Sequence, residues 1–300
     1  MNKYYLGVDI GGTFIKMGVV SSNGQIVDRC KVESKYDISE ITKIINTYLI
    51  KQSKRTTIIG VGISLPGVIS SEGIMQTAGA LKSLIGLNIK KIVEEALKLP
   101  AEIITDSKAV ALSEGWLGNG KNYSDYVCIT LGSAVGGAIV INNRLYWGLG
   151  GLAGEFGVSL MDRSDAEYKL DSTSLHAGVV GGLCRKYSLA TDQKITDAAL
   201  IFSLAKEGDA IAQHFFDEFL DDVARLLVNI SVYIAPEAIL IGGGISADKV
   251  IMDKIQRAYD KIIQKYHVLS LVNMPVILPC KLKNDAGMIG AVKLLIQTQE

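Results

Sequence analysis

Asp9, Gly11, Gly12, Thr13 and Lys16 stand in one stretch, Leu6-Gly-Val-Asp-Ile-Gly-Gly-Thr-Phe-Ile-Lys-Met-Gly-Val-Val20, between two apolar, β-rich runs. Residues of these types can handle an anion. Glycine has no Cβ, so the backbone at Gly11 and Gly12 can take positive φ and bring its N–H groups close to a phosphate. Thr13 adds a hydroxyl donor, and Lys16 a nearby cation. Asp9, at the end of a strand, can hold Mg²⁺ through water without touching a phosphate that would repel it. The same residues also suit an ordinary hairpin whose glycines only make a tight turn. Spacing alone leaves both readings open.

Three further stretches carry chemistry. The apolar run Ile58 to Ile63 ends in Ser64-Leu-Pro-Gly67, and the run Ala101 to Thr105 ends at Asp106. Both read as buried strands. Their C-terminal ends are where open α/β sheets place ligands. Glu155 is the one acid in the glycine-rich stretch Trp147 to Gly157. It is either a cap on local N–H groups or a ligand for hydroxyls. Gly154 and Gly157 favour the second reading, because they let the backbone come close. Finally, Gly242-Gly243-Gly244 closes the buried run Ala238 to Ile241. Such a corner either admits a flat ring against bare backbone or serves as a strand-to-helix turn.

Composition narrows the partners. The chain has 300 residues, 48% of them apolar, enough to bury a sizeable core in one large or two medium domains. Lys plus Arg and Asp plus Glu both number 31, so no global field favours nucleic acid or an anionic membrane. A small-molecule partner is the default. Cys30, Cys128, Cys184 and Cys280 form no C-x-x-C pair, which argues against a zinc ribbon or redox motif and for buried thiols in a reducing compartment. No apolar run is long enough to span a bilayer, and no signal-peptide core precedes Asp9. The expected location is the cytoplasm.

The elements that must position these residues follow from pattern. Asn23-Gly24 is a two-residue turn signal, and Gln25 to Val32 reads as a third antiparallel strand. Ile38, Ile41, Ile45 and Tyr48 predict a helix over Ser39 to Lys51 with Asp37 or Ser39 as its cap. Asn88 caps a second helix, which Pro100 stops. The helix after Asp106 runs to about Trp116, and Gly118-Asn-Gly120 reads as a hinge. Beyond it, Ile129-Thr-Leu-Gly-Ser-Ala-Val-Gly-Gly-Ala-Ile-Val140 repeats the strand, glycine corner and strand of Val8 to Val20, and Asn142-Asn143 stands where Asn23-Gly24 stood. Internal duplication is the simplest cause. Long helices over about Ile195 to Ala205, Asp209 to Tyr233 and Ala247 to Tyr266 follow, and Asp285 to Ile296 closes the chain.

In this order, Asp9-Ile-Gly-Gly-Thr13, Ser64-Leu-Pro-Gly67, Asp106, Leu131-Gly-Ser-Ala-Val-Gly-Gly137, Ala153-Gly-Glu-Phe-Gly157 and Ile241-Gly-Gly-Gly-Ile-Ser246 resemble the ROK family of sugar kinases, in the actin/hexokinase/Hsp70-like superfamily. The resemblance covers nearly the whole chain. It implies an α/β fold of two ribonuclease-H-like lobes around a central cleft, closing on a sugar and Mg-ATP. Residues 1–118 with 285–300 would form the sugar and phosphate lobe, and 119–284 the nucleotide-binding and dimerisation lobe. Asp9, Gly11, Gly12 and Thr13 fall on the first phosphate loop, with Lys16 beside it. Gly132 and Ser133 fall on the second, and Gly242, Gly243 and Gly244 on the adenosine pocket. Asp106 falls on the catalytic base and Glu155 on a ligand of the sugar ring, with Gly67 in the substrate-side loop. Phosphoryl transfer to an alcohol agrees with that set: it needs in-line positioning, charge neutralisation by Mg²⁺ and a carboxylate to accept the hydroxyl proton.

The departures from the family pattern are specific. Thr105-Asp-Ser-Lys108 stands where Asn-Asp-x-Asn is usual, so a ring-hydroxyl donor is shortened and a cation follows the base. Lys108 either donates to a distal hydroxyl or pairs with Asp106. Ser133-Ala134 replaces Thr-Gly. The family's zinc motif is absent: Val158 replaces its histidine, and no cysteine lies between Cys128 and Cys184. No structural zinc is expected. Asp171 stands in for the second sugar-binding glutamate. A zinc-free Gly154-Glu-Phe-Gly157 is similar to the branch that contains β-glucoside kinases, which phosphorylate the 6-hydroxyl of a glucosyl unit. Two other readings are open: another hexose kinase (glucose, fructose or N-acetylmannosamine), or a degenerate sugar-binding or regulatory protein without turnover. The family's DNA-binding repressors need an N-terminal helix-turn-helix, for which a hairpin beginning at residue 6 leaves no room. A homodimer is common among such proteins and is expected here.

Overall fold

The computed structural model describes residues 3–79 and 81–299. The chain divides into two compact units, one of Met1–Asn122, Ile139–Ala153 and Lys281–Glu300, the other of Tyr123–Ala138 and Gly154–Cys280.

The first unit opens with β1 (Tyr4–Ile10), β2 (Phe14–Ser21) and β3 (Ile26–Glu33), continues through α1 (Ile38–Ser53), β4 (Ile58–Leu65), the short pair β5 (Val68–Ile69) and β6 (Met75–Thr77) and α2 (Ile89–Leu97), and ends in β7 (Ala101–Thr105) and α3 (Asp106–Leu117). Its sheet runs β3-β2-β1-β4-β7, antiparallel through the hairpins and parallel from β1 to β4 to β7. The continuous apolar runs of β1 and β4 are buried on both faces: Leu6, Val8, Val61 and Ile63 have essentially no exposed surface. At the sheet edge, β3 alternates half-buried and exposed residues. Asp37 caps α1 by accepting from Ser39 and Glu40 N–H, and Asn88 caps α2 through Lys91 N–H.

In the second unit come β8 (Tyr126–Leu131) and β9 (Val135–Ile141), whose last three residues and β10 (Arg144–Tyr146) are grouped with the first unit. Then follow α4 (Thr173–His176), α5 (Arg185–Thr191), α6 (Ala198–Lys206), α7 (Ala210–Ile234), β11 (Ala238–Gly242), α8 (Lys249–Lys265) and β12 (Val276–Pro279). The sheet order is β10-β9-β8-β11-β12, with β8, β11 and β12 parallel. Strand for strand, that repeats the first sheet, as the duplicated sequence pattern requires. Even the hairpin turns match: Gly24 has φ +81°, and Asn142 and Asn143 have φ +53° and +61°, left-handed values that asparagine tolerates.

The closing helix α9 (Ala286–Gln299) belongs to the first unit. Its small residues are explained by backbone contact. A Cβ on Gly290 would lie 1.8 Å from Ala109 O in α3, and one on Gly62 in β4 would lie 2.4 Å from Ala291 of the helix. Glycine is needed on whichever side faces the other backbone.

Candidate functional site

The parallel strands of the first unit bring one set of residues to a common edge. Asp9 pairs in register with Ser64 on β4, and Leu65 with Thr105 on β7, so Asp9, Ser64 and Asp106 follow on three neighbouring strands at their C-terminal ends. Two strand spacings, about 10 Å, separate the first acid from the second. The Asp9 carboxylate is fixed from two sides: Ser64 Oγ donates to Oδ1 at 2.8 Å and Lys16 Nζ to Oδ2 at 3.1 Å. It also rests on Gly287, where a Cβ would come within 2.6 Å of Oδ1.

The Gly11–Thr13 turn is held from behind. Gly11 N–H donates to Phe14 O at 2.9 Å, Ser34 N–H to Thr13 O at 3.0 Å and Tyr36 Oη to Gly12 O at 3.0 Å, and Ser34 Oγ donates to Gly11 O. Neither Gly11 nor Gly12 takes positive φ, contrary to the expectation from their type. Gly12 is free for another reason: a Cβ there would meet nothing within 4 Å, so the turn faces open space.

Asp106 is the first residue of α3 and is exposed, and its Oδ1 accepts from Ser107 N–H at 2.6 Å. Beside it, Thr105 is 2% exposed and its Oγ1 has no hydrogen-bond partner. A buried hydroxyl left unsatisfied is rare in a folded protein. Lys108 is fully buried one step further into α3. Gly67 has a purely backbone reason: its φ is +115°, and a Cβ would lie 1.9 Å from Thr77 O of β6.

The second unit builds a cavity of about 420 Å³ around the matching corner of its own sheet. Gly132 and Ser133, in the β8–β9 turn, line it together with Gly244, and Val179, Phe202, Ile245 and Ile251 give it apolar walls. The turn is pinned by Val179 and Val180 N–H on Gly132 O and Gly181 N–H on Ser133 O. Of the three glycines at the end of β11, each has its own cause. Gly242 packs against Cys280 Sγ and Thr130 Cγ2, both 3.3 Å from a Cβ built there; Gly243 has φ +94° with Leu131 O 2.0 Å away; Gly244, like Gly132, faces open space.

Sequence reasoning missed the cavity's helical side. Asp197 caps α6 through Ala199 N–H, and Asp248 caps α8 through Val250 and Ile251 N–H. Polar residues immediately before an apolar helix were the available signal.

Glu155 is half-buried, in the turn after Gly154. The glycines around it serve the fold: a Cβ on Gly157 would lie 2.0 Å from Val135 O, and one on Gly154 2.8 Å from Ala138 Cα. The close approach expected for a ligand is thus made by strand β9. Asp171, expected among the sugar ligands, is fully buried, and its Oδ1 accepts from Ser164 N–H, Ser164 Oγ and Asp165 N–H at 3.0 to 3.1 Å. Its carboxylate holds the 164–171 turn. Among the described residues no group of three or more His, Cys, Asp or Glu is placed to hold a metal ion, and no helix is long and apolar enough to cross a membrane.

Comparison with known proteins agrees with this architecture. The model of the ROK family matches residues 5–298. A β-glucoside kinase of Listeria monocytogenes is 30% identical over 300 residues, 97% of each chain. Among solved structures, a ROK family protein from Streptococcus pneumoniae in complex with sucrose superposes with a TM-score of 0.87 at 25% identity, covering 99% of both chains. A ROK family glucokinase from Streptomyces griseus in complex with glucose and AMPPNP gives 0.81 at 26% identity, covering 98% of this chain and 99% of that one.

Proposed function

The chain belongs to the ROK family, and we propose that within it this ATP-dependent sugar kinase acts on the 6-hydroxyl of a glucosyl unit in a β-glucoside such as cellobiose. The observation that carries the reading is the first unit's edge, where Asp9, Ser64 and Thr105-Asp106 follow on adjacent parallel strands. Phosphoryl transfer to an alcohol uses one carboxylate on the metal side and one to accept the hydroxyl proton, and this edge carries both.

In this reading Asp106 takes the proton of the acceptor hydroxyl as its oxygen attacks the γ-phosphorus of ATP, giving the sugar phosphate and ADP. Thr105 Oγ1 and Glu155 hold ring hydroxyls. Backbone N–H groups at Gly12 and Thr13 and at Ser133 cradle the phosphates, the N–H groups of Gly11 and Gly132 being spent on Phe14 O and Ala134 O, while the base lies in the cavity closed by Gly244. Asp9 is the carboxylate suited to hold Mg²⁺ through water, in keeping with an ion that keeps its own waters and adds one or two carboxylates to substrate phosphates. When bound, that ion supplies neutralisation of phosphate charge. Lys16 stays paired with Asp9 and steadies it. Lys108 and Asp171 stay inside the protein as structural charges. The protein works as a cytoplasmic homodimer and carries no structural zinc.

Two observations support a β-glucoside over a free hexose. A relative at 30% identity over the full length is a β-glucoside kinase. Val158, where the family has a zinc-ligating histidine, is 67% exposed, leaving an apolar surface next to Glu155 that a second sugar ring or aglycone can cover. The test is ADP release with cellobiose, another β-glucoside, glucose, fructose and N-acetylmannosamine at matched concentrations. Cellobiose should lead. A clear lead for a monosaccharide would end the β-glucoside assignment, and no release with any sugar from protein that still binds ATP would favour a non-catalytic sugar-binding role.

A further inference from the structure

The cavity beside Gly132 and Gly244 has a neighbour that sugar phosphorylation does not use. A second cavity, about 330 Å³, lies in the same unit among α6, α7 and α8. Its walls are Phe202, Phe216, Val250 and Ile251, with Lys206 and Lys254 also on the lining. Phe202 and Phe216 meet with ring centroids 4.8 Å apart, and Lys254 Nζ lies 5.3 Å from the Phe216 centroid. Three of the lining residues, Phe202, Asp248 and Ile251, line the first cavity as well.

Charge decides what fits. Some cations of this unit are paired, Lys186 with Glu218 and Asp222 and Arg225 with Asp221. Among the described residues no carboxylate lies within ion-pair distance of Lys206 or Lys254. The acid on the lining, Asp248, spends Oδ1 on capping α8. Two ammonium groups against that one carboxylate leave a single net positive charge on a hollow whose one other polar side chain, Gln213, donates to Asp217. A monoanion with an apolar, ring-sized body satisfies both the charge and the walls, and the volume sits at the small end of ligand pockets, about 300 to 1,000 Å³. A neutral apolar molecule would gain nothing from the two ammonium groups, and a dianion would exceed the single net charge.

We propose that this cavity is a second small-molecule site, for a ring-sized organic carboxylate, and that its occupancy changes nucleotide affinity through the shared wall of Phe202, Asp248 and Ile251. The coupling rests on reading the first cavity as the nucleotide site; the carboxylate binding does not. Linkage requires the effect to be reciprocal.

The probe is 2-naphthoate, titrated into the full chain by fluorescence, with naphthalene-2-carboxamide as its neutral counterpart. We expect one saturable site that binds the carboxylate at least tenfold more tightly than the carboxamide. Lys206→Glu combined with Lys254→Glu should weaken naphthoate at least tenfold, and Val250→Trp, at an exposed position that fills the hollow, should do the same; melting temperature and sugar-kinase turnover without probe should stay at wild-type values. Saturating ADP should shift the naphthoate dissociation constant at least threefold without abolishing binding. Equal binding of the carboxamide, or insensitivity to both variants, overturns the site. Complete competitive displacement by ADP places the probe in the first cavity and also overturns it, while an unchanged constant with ADP bound overturns the coupling. Failure of every sugar in the turnover assay would remove the kinase reading and leave the binding result standing.

Discussion

The carboxylate of Glu114 accepts the backbone N–H of Lys281 at 2.7 Å. The same Oε1 takes Leu282 N–H at 2.8 Å, and Oε2 takes Asn119 N–H at 2.9 Å. Glu114 is fully buried in α3, and the residues it holds flank two of the points where the chain passes between the units, after Asn122 and before Lys281. A buried carboxylate with three backbone donors is satisfied, whereas a carboxamide in its place turns one acceptor into a donor facing an N–H. Glu114→Gln should therefore cost about 1–3 kcal/mol, read as a lower midpoint in chemical denaturation. A midpoint equal to wild type would mean that these amides find other partners at no cost.

Asp106→Asn separates base from cap. If Asp106 accepts the substrate proton, turnover should fall by a factor on the order of 10² to 10⁴ while ATP affinity stays near wild type. If its bond to Ser107 N–H is all that matters, the variant should lose about 1 kcal/mol of stability and little activity. A stable variant with full turnover would remove Asp106 from the chemistry.

The glycines of the second unit sort into two kinds, and alanine distinguishes them. At Gly132 and Gly244 φ is not positive and a Cβ meets nothing, so Gly132→Ala or Gly244→Ala should leave the melting temperature unchanged and weaken nucleotide binding. At Gly243, with φ +94° and Leu131 O 2.0 Å from a Cβ, Gly243→Ala should lower the melting temperature by several degrees. Nucleotide titration alongside thermal melting reads both. An unstable Gly132→Ala would show that the open space there is a need of the fold rather than of a ligand.

Cys184 should be the least reactive thiol. Burial, with the charge of Asp197 adding to it, pushes its pKa up from 9.0 to about 11. At pH 8 its thiolate fraction is then on the order of 10⁻³. Cys30, half-buried in β3, should alkylate first with iodoacetamide, and labelling of Cys184 should rise as the pH is taken toward 10. Because the folded pKa is raised, the neutral thiol's contribution to stability holds below about pH 9 and is lost as the pH rises through about 11. Peptide mapping that finds Cys184 labelled as fast as Cys30 at pH 8 would refute the burial argument.

Much of this protein was legible in its sequence because the physics involved is local. Strands buried on both faces announce themselves as continuous apolar runs, and the caps at Asp37 and Asn88 are read from residue type beside an apolar period. The duplicated hairpins needed only comparison of two stretches of one chain, since both must make the same turn with the same glycine or asparagine residues. What the sequence left open was why a given polar residue or glycine stands where it does, because that depends on a neighbour supplied by a distant segment. Gly67 is set by Thr77, Gly157 by β9 and Gly287 by Asp9, and none of those pairings has a signature in spacing. Asp171 reads as a sugar ligand until the turn at Ser164 and Asp165 is seen to occupy its carboxylate. Cys128 and Cys280, 152 positions apart and read as unrelated thiols, bring their Sγ atoms to 3.6 Å on either side of β11, where Gly242 has no side chain to keep them apart. Glu114 carried no motif at all; only the return of the chain at Lys281 gives its carboxylate something to hold. Sequence thus determined the elements and the order of the chemical groups, since propensity and periodicity act within a few residues, while tertiary structure decided which of those groups are spent on holding the fold and which remain available to a ligand.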